Sequence, residues 1–250
     1  MITFMRKTII ALAACAPLLV ALPAHATAPK AKDPVRALKS EFVAGHGVRF
    51  TETTTLSGEK TKVQSRKGTF QFNAKGIVAH DIVTTFAPDR LERVISVGKF
   101  SYLKSPSLLL LEGKTWARRS RGVAGGGSFN GQVINPAESK TLAALIKKGK
   151  LTKRAITGKI TFKELDKISP WFAMSVPLRM QDDATVTYAL TLTSAGLVSR
   201  VKSSYAATAV FDVGNHEGKT MTIDSRFTGW GAKTSIKAPD PKTVDVRPIQ

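Results

Sequence analysis

Thr185-Val186-Thr187-Tyr188-Ala189-Leu190-Thr191-Leu192-Thr193 alternates polar and apolar side chains without a break. Successive side chains of a strand point to opposite faces, so this stretch reads as a strand with one face buried and one in water. Ser194-Ala195-Gly196 is a turn-forming trio. The chain then returns as Leu197 to Tyr205, with Leu197, Val201 and Tyr205 on one face and Arg200 and Lys202 on the other. A third run, Lys219 to Phe227, sets Met221, Ile223 and Phe227 against Thr220, Thr222, Asp224 and Arg226. The three runs form a meander of amphipathic antiparallel strands.

The same device recurs toward the N-terminus. Val48 to Leu56, Lys62 to Asn73, Ile77 to Phe86, Leu91 to Val97, Lys99 to Leu103, Lys114 to Arg119 and Ala155 to Leu165 all carry strand patterns separated by Gly-, Asn- or Pro-containing turns. Helical spacing occurs from Pro34 to Val43 and from Pro136 to Lys148. Between Asp166 and Asp183, Pro170 and Pro177 interrupt a large apolar segment, which reads as a broken helix or a flap. Gly122 to Gly131 holds five glycines and reads as a mobile loop. Two short helices cannot cover about ten strands, so the sheet must curl into a barrel or half barrel or fold as a sandwich.

Met1–Ala26 has the layout of a secretory signal peptide: Arg6 and Lys7, an apolar run from Thr8 to Leu22, then Ala24-His25-Ala26. Thr27–Asp33 follows as a polar tether, and residues 34–250 are expected to form one domain. Leu12-Ala13-Ala14-Cys15 carries the residue pattern of a lipobox, with Cys15 as an alternative lipidation site. Cys15 lies in the middle of the apolar run instead of at its end, which favours soluble secretion. Without Cys15 the exported chain holds no thiol for a disulfide or a thiolate metal site, and packing alone supplies its stability.

The chain carries a net charge of +20. Removing Arg6 and Lys7 from the 38 basic residues and setting the rest against 18 acidic ones leaves +18. Such a field favours anionic membrane or cell-wall surfaces, and export disfavours nucleic acid; because the Lys and Arg are spread along the wet strand faces and form no single block, solubility alone is an equal reading of the charge. His46, His80 and His216 are far apart and show no metal-ligand spacing. No Gly-x-Ser-x-Gly elbow exists, and Ser128 after three glycines lacks the strand-turn-helix setting of a nucleophile. Asp182-Asp183 reads as a turn. No cofactor and no enzymatic activity are expected.

Three features together resemble a known family: Gly158-Lys-Ile-Thr-Phe-Lys-Glu-Leu165, the hairpin from Val186 to Arg200, and Phe227-Thr-Gly-Trp-Gly231 with Ile236-Lys-Ala-Pro239. In that order, behind an N-terminal amphipathic helix, they resemble the LolA-like superfamily and, within it, the actinobacterial LppX, LprA, LprF and LprG lipoprotein group. The resemblance implies a mainly β fold: a strongly curved antiparallel half barrel of about ten to eleven strands, with helices covering its concave side around an apolar cavity. It also implies a non-enzymatic carrier or sensor of a lipid or other amphiphile. Strand phase then nominates Phe50, Phe70, Phe72, Ile82, Phe86, Tyr188, Leu190, Leu192, Met221 and Ile223 as cavity walls, with Trp171 and Phe172 as a lid. The alternative is an envelope interaction module with a filled interior that binds anionic wall polymers or a protein partner.

Overall fold

In the computed structural model, residues 33–86, 90–119, 131–176, 179–210 and 216–247 are described below. The expected signal peptide, Cys15, most of the tether, and Ser128 with its glycine-rich loop up to residue 130 lie outside them. Residues Ala31–Gln250 cluster as one unit.

The strands are β1 (His46–Leu56), β2 (Lys62–Asn73), β3 (Gly76–Phe86), β4 (Arg90–Val97), β5 (Phe100–Lys104), β6 (Trp116–Arg119), β7 (Lys150–Thr152), β8 (Ala155–Thr161), β9 (Thr185–Leu192), β10 (Val198–Ala206), β11 (Thr220–Lys233) and β12 (Val244–Asp245). The helices are α1 (Pro34–Ser40), α2 (Ser139–Lys148), α3 (Phe162–Ile168) and α4 (Pro170–Ser175). The strands form one open sheet in the order β12-β6-β5-β4-β3-β2-β1-β11-β10-β9-β8-β7. Every pairing is antiparallel except β12 on β6.

The sheet is curved, and ring contacts show it. Trp171 of α4 meets Phe70 of β2 edge to face at 5.3 Å, while its neighbour Phe172 meets Phe162, the first residue of α3 directly after β8, at 5.1 Å. Five strand spacings separate β2 from β8, about 24 Å on a flat sheet. Two consecutive residues reach both strands only if the sheet bends round α4. Helices α2, α3 and α4 and the segment 131–138 fill that concavity, and the expected half barrel with helices on its concave side is the observed architecture.

Several local readings need correction. The strand read through Leu165 ends at Thr161, where a capping box starts α3: Thr161 Oγ1 accepts from Glu164 N, and the Glu164 carboxylate accepts from Thr161 N. Thr-x-x-Glu was present in the sequence and outweighs the preceding alternation. In β10 the register shifts between Val198 and Arg200, so Val198 joins the buried face and Leu197 stays half-buried. Strand β11 runs to Lys233 instead of ending near Phe227, and the short β7 and β12 bring the sheet to twelve strands. The two helices expected from spacing become four among the described residues, because Ser169 and Pro170 restart the chain as α4 after α3.

On the convex side of the β3–β6 wing a smaller core joins Ile95, Trp116 and Val244 with Val97, Tyr102 and Ile236. The segment after β11 supplies that cover: Ile236 N donates to Gln71 Oε1 at 2.7 Å, and Thr115 N donates to Thr243 O at 2.9 Å. Among the described residues no helix is long and apolar enough to cross a membrane.

Candidate functional site

Eleven of the twelve nominated side chains meet in one core: Phe50, Phe70, Phe72, Ile82, Trp171, Phe172, Tyr188, Leu190, Leu192, Met221 and Ile223. They pack against one another and against the helices. Tyr188 crosses Gly158, where a Cβ would fall 2.5 Å from its hydroxyl, and donates to Leu145 O of α2 at 2.6 Å. Phe86 stands apart at the end of β3, half-exposed, with the Arg90 guanidinium 4.4 Å from its ring centre.

The interior also holds polar groups that alternation did not reveal. Glu52 and Arg66 pair directly across β1 and β2, Nε to Oε1 at 2.6 Å, with side chains 2% and 0% exposed. Glu52 also accepts from Gln132 N at 3.1 Å and Ser225 Oγ at 2.9 Å. Gln132 in turn donates to Ser225 Oγ, accepts from Ser203 Oγ at 2.6 Å, and accepts on its carbonyl from Trp171 Nε1 at 2.7 Å. A Cβ at Gly131 would fall 2.2 Å from the Arg66 guanidinium carbon, so the chain enters the concavity there only as glycine. This network ties the segment leading to α2 onto β1, β10, β11 and α4. Sequence reasoning missed it because a buried charge pair leaves no periodic trace.

An open cleft of about 300 Å³ lies where these elements meet the surface. Phe42, just after α1, forms one wall with Gly76 and Ile77 of β3. Gly76 has φ 125°, which a side chain would strain, and it leaves the wall bare above the Phe42 ring. Ala137, Ile168, Pro170 and Trp171 form the opposite wall. Lys75 and Lys140, both exposed, stand at the rim. Asn135 is 3% exposed; its Oδ1 accepts from Ala137 N at 3.0 Å, whereas its buried Nδ2 meets no acceptor among the described residues. Only Trp171 among the nominated residues belongs to this lining.

Glu138 completes the lining and joins two helices. It accepts from Ser169 Oγ at 2.5 Å, Trp171 N at 2.8 Å and Thr141 Oγ1 at 2.9 Å, which fixes the start of α4 to the start of α2. Burial raises its carboxyl above the ordinary glutamate range and outweighs those three hydrogen bonds. The folded protein therefore holds a proton here at pH values where the unfolded chain has lost it, so this group's contribution to stability falls as pH rises from the unfolded to the folded value. Unfolding free energies measured from acid to neutral pH should show wild type losing stability relative to Glu138→Gln across that window, by at most about 1.4 kcal/mol per pH unit. A constant difference between the two would contradict it.

The other sequence features are placed elsewhere. Asp182 pairs with Arg179 at 3.2 Å in an exposed turn. His80 is buried between Phe70 and Trp171, at ring distances of 6.3 and 6.1 Å. Among the described residues no group of three or more His, Cys, Asp or Glu side chains is arranged to hold a metal.

No protein-family model matches this chain, and no curated protein matches it. Among solved structures it is similar to LprF from Mycobacterium bovis, at 15% identity over 83% of this chain and 93% of that one, with a TM-score of 0.42. Lipoprotein LppX from Mycobacterium tuberculosis matches at 11% identity over 82% and 96% of the two chains, TM-score 0.42. A LolA superfamily protein from Nitrosomonas europaea matches at 9% identity over 87% and 99%, TM-score 0.34. These likenesses concern the fold.

Proposed function

We propose that this chain is a secreted, non-enzymatic carrier or sensor that binds an amphiphile, with Met1–Ala26 directing its export. The observation that carries the reading is the composition of the cleft. Apolar groups of Phe42, Ile77, Ile168 and Trp171 stand beside a buried amide donor, Asn135 Nδ2, and beneath two exposed lysines. An apolar wall with a few convergent polar groups suits a small ligand. The donor and the lysines suit an acidic head group, a carboxylate or a phosphate, and the wall suits an alkyl chain. The nominated core residues would extend that wall inward if ligand entry displaces Trp171 and Phe172.

Native mass spectrometry of the protein purified from its own host without detergent tests the reading, with organic extraction of any adduct. A stoichiometric, extractable amphiphile is expected; a bare mass after incubation with host lipids would overturn it. The cleft is tested separately with a fluorescent long-chain fatty acid and the matching alcohol. The double variant Lys75→Glu/Lys140→Glu should bind the acid at least about thirtyfold more weakly, at roughly 1 kcal/mol for each of the two lost cations with further repulsion from the new charges. Binding of the alcohol should not change. Equal weakening of both probes would mean that the lysines shape the fold and do not read a head group.

A further inference from the structure

The convex face opposite the helices carries a second surface that the cleft does not use. Strand register places Arg226 of β11 directly opposite Arg200 of β10 on one side and Thr51 of β1 on the other, with Lys67 of β2 opposite Thr51. In the neighbouring row Lys202 lies opposite Asp224, and Asp224 opposite Thr53. A groove of about 430 Å³ runs here, lined by Thr51, Thr53, Thr222, Lys202, Asp224 and Arg226 among others.

The charges in this groove are unbalanced. Like charges directly opposite each other destabilise a strand pair, yet Arg200 faces Arg226. Asp224 is held bidentately by Arg200, Nε to Oδ1 at 2.7 Å and Nη2 to Oδ2. Arg226, Lys202 and Lys67 are exposed and form no ion pair among the described residues. One carboxylate therefore serves four cations. An external anion would offset the remaining charge.

The chemistry of the patch selects among anionic partners. Exposed large apolar residues, such as Leu91, Leu109, Leu151 and Met180, all lie outside it, so it offers nothing to insert into a lipid surface. It holds no aromatic ring on which a base would stack. Glu52 also borders the groove, but its carboxylate is buried on the opposite face against Arg66; the remaining side chains are threonines, whose hydroxyls donate to and accept from sugar hydroxyls. A flexible chain follows a convex surface along its whole length, whereas a flat bilayer meets it only along a ridge.

We propose that the convex groove over β10, β11, β1 and β2 is a docking surface for a linear anionic polysaccharide. Its acid groups lie on Arg226, Lys202 and Lys67, and its hydroxyls lie on Thr51, Thr53 and Thr222. This surface is independent of the cleft and holds whether or not an amphiphile binds there.

The test titrates the full chain with fluorescein-labelled polygalacturonate and phosphorylated dextran, with neutral dextran, phosphatidylglycerol vesicles and a single-stranded oligonucleotide as comparators. Binding to at least one acidic polymer, weakened by added salt, is expected. Arg226→Ala, Lys202→Ala and Lys67→Ala should each weaken it about fivefold, roughly the effect of one surface cation, while Lys147→Ala on α2 should leave it unchanged. The stronger of the two polymers identifies carboxylate or phosphate as the acid group. Arg226→Ala should also keep or raise Tm, because it removes a like-charge contact, so a loss of binding is not a loss of fold. Equal binding of neutral dextran overturns the proposal. So does preference for vesicles or the oligonucleotide over both polymers, or weakening by Lys147→Ala equal to that of the groove variants.

Discussion

Arg66→Ala is expected to lower the unfolding free energy by about 3–5 kcal/mol, read by urea denaturation at neutral pH. The guanidinium is fully buried, and its partner Glu52 is 4% exposed, so the variant leaves a buried carboxylate without its counter-charge. The hydrogen bonds from Gln132 N and Ser225 Oγ remain, but they replace only part of the lost counter-charge. Arg66→Met should cost nearly as much, because it fills the volume and leaves the same charge unpaired. The double variant Glu52→Gln/Arg66→Met should recover most of the loss, since replacing both partners of a buried pair is often close to neutral. If the single variants cost less than about 1 kcal/mol, the pair is solvated and the interior is wetter than its burial indicates. The same network holds the segment 131–138 inside the sheet. Arg66→Ala should therefore also speed hydrogen exchange at Gln132 and Ile134, whose amides point into it.

Trp171→Ala is expected to cost about 3–5 kcal/mol, the range for emptying a buried aromatic site. Its ring is 3% exposed, meets Phe70 at 5.3 Å, and lies 5.7 Å from the Arg66 guanidinium carbon. Trp171→Phe preserves much of that packing and removes only the donor to the Gln132 carbonyl, so about 1–3 kcal/mol should be lost. The two variants also separate the roles of this residue. Under the amphiphile reading, Trp171→Phe retains a wall of the cleft and should still bind the fatty-acid probe, whereas Trp171→Ala should not. A Trp171→Phe protein that is stable but fails to bind would make the indole itself part of the ligand contact.

The strands were legible in the sequence because period-two alternation records which face of a sheet is wet. Thr185 to Leu192 and Met221 to Phe227 occupy the faces that the pattern assigned to them. The interruptions were less legible. The bulge at Val198 shifts phase without any unusual residue, and the capping box at Thr161 ends a strand whose alternation would carry it on to Leu165. Eleven of the nominated residues share one core, the strand residues among them on the buried face of the sheet. Phase alone does not show what packs against that face. The cleft is assembled from Phe42, Ile77, Asn135 and Ile168, which come from separate loops and element ends, where no periodicity operates.

The sequence by itself determined the mainly β class, the one-sided polarity of the strands, the need for cover on the apolar face and the excess of positive charge. Those are properties of neighbours along the chain, and the geometry of a strand converts them directly into faces. Only the tertiary structure decided that the sheet stays open and bends round α4, and that 131–138 threads its interior. It also decided that Glu52 faces Arg66, and that Arg200 stands opposite Arg226. Those arrangements depend on strand order and register between segments far apart in the chain, as with Gly47 and Ala232. Long-range pairing is set by the summed packing of the whole core, and no local pattern encodes it.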